Sequence, residues 1–157
     1  MQQPKTRVNA SEEEIKIGPL GIRFLLTGDD SRGSASVFEF RVPVGQKLAA
    51  PAHKNDTYEE IVYGIEGVLT WTVDGTPIEV GPGQALCIPR GAVHRFDNLG
   101  NEDVKQLAVI SPALMGPAYF REAGRSHQRC RRRSARSREN DGGLPPSWHD
   151  AGRAHAC

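Results

Sequence analysis

Two histidines and one carboxylate are the residues of this chain whose chemistry calls for a partner. His53 and Glu60 lie in residues 51–69 (PAHKNDTYEEIVYGIEGVL), and His94 lies in residues 83–98 (GQALCIPRGAVHRFDN). Imidazole and carboxylate are the ligand types that hold divalent Fe, Mn, Zn or Cu. Two imidazoles with one carboxylate and open positions make the facial set of non-haem iron oxygenases. The chain has five histidines, but His127, His149 and His155 fall in an Arg-rich C-terminal stretch. Only His53 and His94 occur in the first 123 residues, and both sit in the two stretches quoted.

The spacing carries further information. Gly83, Pro89, Gly91, His94 and Asn98 are separated by five, one, two and three residues. This run resembles the second signature motif of the cupin superfamily, small β-barrels that hold a metal ion in the barrel mouth. Residues 51–69 are similar to the first cupin motif, which reads His-x-His, three or four residues, Glu, six residues, Gly. His53 fills the first His, and Glu60 precedes Gly67 by the required interval, with Glu59 as a rival at the looser spacing. Asn55 stands where the family has its second His. The resemblance implies one divalent metal ion (Fe, Mn, Ni, Cu or Zn) held by His53, Glu60 and His94. Asn55 is then a weak oxygen ligand, an orienter of bound water, or an opening for substrate. The implied activity is that of a small-molecule oxidoreductase of the dioxygenase type, acting on an aromatic or diketone substrate. The alternatives are a non-catalytic small-molecule binding or sensing barrel, or a cupin isomerase or lyase.

Short strands must position these residues. Runs at 22–27, 34–42, 60–65, 68–73, 78–80, 86–88, 94–97 and 104–110 are rich in Val, Ile, Leu and Phe and are separated by Gly, Pro, Asp and Asn. That rhythm predicts a sandwich or barrel, and the whole chain reads as an all-β, single-domain jelly-roll β-barrel with a short helical or disordered C-terminal tail. Asp74-Gly75 marks a type I′ hairpin turn. Gly81-Pro82-Gly83 marks a corner, and Pro89 with Gly91 a tight turn that presents His94 at a strand start. Successive strand residues face opposite ways. If Glu60 points into the barrel, Glu59 points to solvent, and His94 shares its face with Phe96. Phe38, Phe40, Trp71 and Phe96 are the candidate apolar walls of a substrate pocket. Cys87 reads as small buried filler.

The domain organisation follows from composition. We expect an N-terminal arm over 1–18, the barrel over 19–112, a short helical turn over 113–123 packing Met115, Tyr119 and Phe120 on the barrel, and an Arg-rich tail over 124–157. The tail carries eight Arg against Glu139, Asp141 and Asp150, while the first 123 residues carry a net charge of −4. An acidic barrel argues against nucleic acid as partner. The tail's composition predicts disorder. Its Arg, Ser, Cys and Pro content also fits a GC-rich gene read out of frame. Codons exist for residues 128–148 that, shifted forward by one base, read NAAAAGRPDPAKMMEVFRRHG, a linker followed by an amphipathic helix. Sequencing the gene tests this reading. The N-terminal residues hold no apolar stretch of signal or anchor type, and no run reaches bilayer length. A cytoplasmic protein, without membrane contact and bearing a small-molecule ligand, is expected. Residues 15–17 and 22–27 are candidate edge strands for pairing in a homodimer.

Overall fold

The computed structural model describes residues 13–47 and 52–140, with side chains through residue 133. Alternation of apolar and polar residues becomes nine strands. They are β1 (Ile15–Ile17), β2 (Leu20–Leu26), β3 (Ser36–Val42), β4 (Glu59–Glu66), β5 (Leu69–Val73), β6 (Thr76–Val80), β7 (Ala85–Ile88), β8 (His94–Asp97) and β9 (Val104–Ser111). Helices α1 (Gly28–Ser31) and α2 (Pro117–Asn140) complete the order. Six strands pair as β1-β2-β3-β9-β4-β7 and three as β6-β5-β8, all antiparallel. This is the all-β jelly-roll barrel that the strand rhythm predicts.

The period of two sets the core. Strand β9 alternates buried and half-buried residues along its whole length, and β3 buries Ser36, Phe38, Phe40 and Val42. These inward residues meet Ile22 and Phe24 of β2, Val62 of β4, Leu69 and Trp71 of β5 and Ile88 of β7 in one apolar interior. Burial of each large side chain contributes roughly 1.5–3 kcal/mol. Two buried amides tie the layers together. Gln106 accepts the Trp71 indole N–H and donates to the carbonyl of Val80. Asn98 donates to the carbonyls of Val42, Pro43 and Glu102 and accepts from the Gly100 N–H. The Asn that closes the second motif is thus a strand-to-loop clamp.

Strand β1 is the candidate edge segment 15–17, at the end of the sheet beside β2. Three features depart from the sequence reading. Helix α1 is a single turn, too short to leave a period in the sequence. Helix α2 does not stop at residue 123 but continues to Asn140, through the stretch expected to be disordered. No proline interrupts residues 118–144, and Arg, Ala, Gln and Glu are good helix formers; residues 141–157 lie outside the described residues. Finally, Cys87 is exposed. Its neighbour Ile88 pairs with the inward Glu60, so parity turns Cys87 outward beside Ile61.

Helix α2 docks by its first turns. Phe120 is buried, with ring centroids 5.2 Å from Phe38 and 5.6 Å from Phe24. Met115 packs against the core, whereas Tyr119 is 59% exposed. A Cβ at Gly124 would collide with the carbonyl oxygen of Lys16, so the helix passes directly over β1. The β1 side of the sheet, expected to meet a second chain, is packed by this chain's own helix. Among the described residues no helix is long and apolar enough to cross a membrane.

Candidate metal centre

The turns bring the motif residues together. Asp74 and Gly75 both have positive φ, 47° and 81°, as the type I′ turn requires. Asp74 also clamps the approach to β8. Its N–H donates to the Val93 carbonyl at 2.8 Å, and its Oδ1 accepts the Val93 N–H at 2.9 Å. The turn from Pro89 closes with the Ala92 N–H on the Pro89 carbonyl, and the Gly91 N–H donates to the Asn55 carbonyl. His53 and His94 then exchange backbone hydrogen bonds in both directions, at 3.0 and 2.8 Å. They are directly opposed residues of a small antiparallel bridge, with ring centroids 4.5 Å apart.

Glu60 is the inward carboxylate. It is 9% exposed, and its Oε2 lies 3.4 Å from His94 Nε2. Glu59 faces solvent and pairs with Arg90 at 2.9 Å. Strand parity therefore resolves the rivalry in favour of Glu60 as the residue beside His94.

His94 is poised as a donor of electrons. It is 2% exposed, and its Nδ1 lies 3.0 Å from the Ala92 carbonyl. A proton held there leaves the Nε2 lone pair free in the neutral ring. Nε2 is buried against Glu60 Oε2 in a 3.4 Å ion-pair contact and makes no hydrogen bond of ordinary geometry. The Nδ2 of Asn55 is likewise buried without a partner. Burial opposes a charge on His94, but the Glu60 carboxylate, the Ala92 carbonyl and Asp74 outweigh it and raise its pKa above the ordinary value. Burial and the Glu60 charge, with Tyr119, push the Tyr58 phenol up to about 12.

These groups open into a cavity of about 520 Å³. His53, Asn55, Glu60 and His94 form its polar end, and Phe38, Phe40, Trp71 and Phe96 all line its walls. Trp71 and Phe96 are cross-strand neighbours with centroids 4.7 Å apart. Sequence reasoning did not find the rest of the lining. Ile17, Leu20 and Ile22 come from β1 and β2, Lys54 stands beside Asn55, and Tyr119, Phe120 and Ala123 come from α2. The signal for the last group was the apolar Tyr-Phe pair just after the Gly116-Pro117 helix start.

The donor chemistry fits a divalent cation. An orphaned imidazole nitrogen, a carboxylate and a second imidazole share one end of the cavity, and amide and imidazole groups buried without partners need a ligand. Among the described residues, however, no three His, Cys, Asp or Glu side chains gather closely enough to enclose an ion.

The jelly-roll barrel with a polar end at its mouth defines a class, and comparison confirms it. The sequence profile of the Cupin domain family matches residues 38–110. The chain belongs to the cupin superfamily. It is 38% identical over 92 residues to an uncharacterized protein of Methanocaldococcus jannaschii, covering 58% of this chain and 72% of that protein. It is 30% identical over 110 residues to quercetin 2,3-dioxygenase of Bacillus subtilis, covering 64% of this chain but only 32% of the dioxygenase. Among solved structures it superposes on a predicted oxalate decarboxylase from Thermotoga maritima with TM-score 0.60 and 23% identity, over 68% of this chain and 99% of the other. That last similarity speaks to the fold alone.

Proposed function

We propose that this cupin binds one divalent metal ion through His53, Glu60 and His94 and oxidises a small aromatic molecule with dioxygen. The observation that carries the reading is the buried His94 Nε2, without a hydrogen-bond partner, beside Glu60 at the end of an aromatic cavity. The similarity to quercetin 2,3-dioxygenase supports the substrate class. When bound, an iron-type ion supplies Lewis acidity and one-electron chemistry. The chain's own residues do the rest. The Ala92 carbonyl holds Nδ1 of His94, which orients the ring so that Nε2 turns toward Glu60. Phe40, Trp71 and Phe96 hold a flat ring and exclude water. Glu60 balances positive charge and can take a proton from a hydroxyl brought within its reach.

The test is dioxygen uptake by iron-reconstituted protein supplied with quercetin. Uptake that disappears in His94→Ala is the expected outcome. No uptake with quercetin or simpler aromatic diols would leave the second reading, a binding barrel without turnover. That reading draws its support from Asn55 in place of the family's second His and from the open arrangement of the side chains.

We also propose self-association through the outward face of the six-stranded sheet. Val37, Val109, Ile61 and Cys87 form a row across β3, β9, β4 and β7, and Tyr63 beside it is 44% exposed. No charge interrupts that row, and β7 ends the sheet. A second copy of this chain is the occupant that suits a face ending in an open strand.

A further inference from the structure

We infer that Asn55 is a specificity residue: its side-chain amide donates a hydrogen bond to a carbonyl or enolate oxygen of the bound aromatic molecule. The inference rests on the cavity reading above and adds the chemical feature that the ligand must carry.

Three observations converge. First, Asn55 Nδ2 is buried and has no hydrogen-bond partner, although it lines the cavity. Leaving a buried donor unmade costs about 1–3 kcal/mol, so such a group is retained where a ligand completes it. Second, Asn55 is held by its backbone. Its carbonyl accepts the Gly91 N–H at 2.8 Å, while its Nδ2 takes no part in the loop's hydrogen bonds and the residue lines the cavity. Third, the other polar groups lining that end are His53, Lys54, Glu60 and His94, and Lys54 is paired with Asp56 at 3.0 Å. Asn55 supplies the neutral amide N–H among them. An apolar, aromatic-lined cavity with such a donor selects a flat molecule with an oxygen acceptor at its edge. A site built around a hydrogen bond rejects an analogue lacking the acceptor far more strongly than a purely apolar site does.

The test compares two probes of the same shape, acetophenone and α-methylstyrene, in which a CH₂ group replaces the ketone oxygen. Dissociation constants are measured by ligand-observed NMR on the full chain in the presence of a chelator, for wild type, Asn55→Ala and Asn55→Asp. Thermal melts confirm that each variant is folded. The expected result is that both substitutions weaken acetophenone binding about tenfold, the equivalent of one hydrogen bond, while α-methylstyrene changes less than twofold. Equal effects on the two probes, or none on either, would overturn the role of Asn55 and leave the cavity reading standing. Binding of neither probe to wild type would overturn the cavity reading and the inference with it.

Discussion

At the scale of single residues, function here depends on which way a side chain faces. Glu59 and Glu60 differ by one position, yet one pairs with Arg90 at the surface and the other sits against His94. Parity along a strand was enough to separate them, because Val62 and Gly64 share the buried face with Glu60. For Cys87, residue type alone suggested burial, but its facing depends on the register of β7 against β4, a non-local quantity that no local pattern contains. Another residue-level device lies on the sheet's outer face. Glu39 accepts hydrogen bonds from Arg23 and an ion pair from Lys105 at 3.2 Å, linking β2, β3 and β9. Partial burial raises its pKa, but Arg23 and Lys105 together outweigh this and lower it below the ordinary value. A carboxylate with a depressed folded pKa stabilises the protein above its unfolded pKa, and that contribution is lost as pH falls through the folded value. Glu39→Gln should cost about 1 kcal/mol at neutral pH, and the gap from wild type should close in urea titrations at about pH 3. A gap of equal size at both pH values would contradict this.

At the scale of elements, the barrel was legible and its cover was not. Each of the eight expected runs became a strand, because alternation is a local signal that survives without knowledge of partners. Asp74-Gly75 was legible for a similar reason: positive φ restricts the residue choice. Helix α2 runs past residue 123 to Asn140, where helix propensity prevails over like charge. Its role at the cavity was also hidden, since Tyr119, Phe120 and Ala123 reach the mouth only through the packing of α2 over β1. Phe120 is the anchor, in contact with Phe24 and Phe38. Phe120→Ala should destabilise the docked helix by about 3 kcal/mol. Amide exchange in α2 should accelerate while β3 and β9 remain protected. Uniform acceleration across the barrel would show instead that the helix and barrel unfold as one unit.

At the scale of the whole molecule, the chain is one jelly roll with two distinct exteriors. One side carries α2 across β1, and the other presents the apolar row that ends at β7. If a second copy covers that row, Tyr63→Asp, a buried charge in the pair but a solvated one in the single chain, should move gel-filtration mass from dimer to monomer without lowering the melting temperature of the barrel itself. A wild-type monomer at micromolar concentration would remove the interface. The account as a whole stands on the cavity's polar end being a metal centre built from His53, Glu60 and His94. The most direct measurement is elemental mass spectrometry of the purified protein, before and after reconstitution, beside His94→Ala. The account predicts close to one Fe, Mn, Ni, Cu or Zn per chain, lost in the variant while its circular dichroism is retained. Wild type without metal after reconstitution, or an unchanged metal content in His94→Ala, would contradict it.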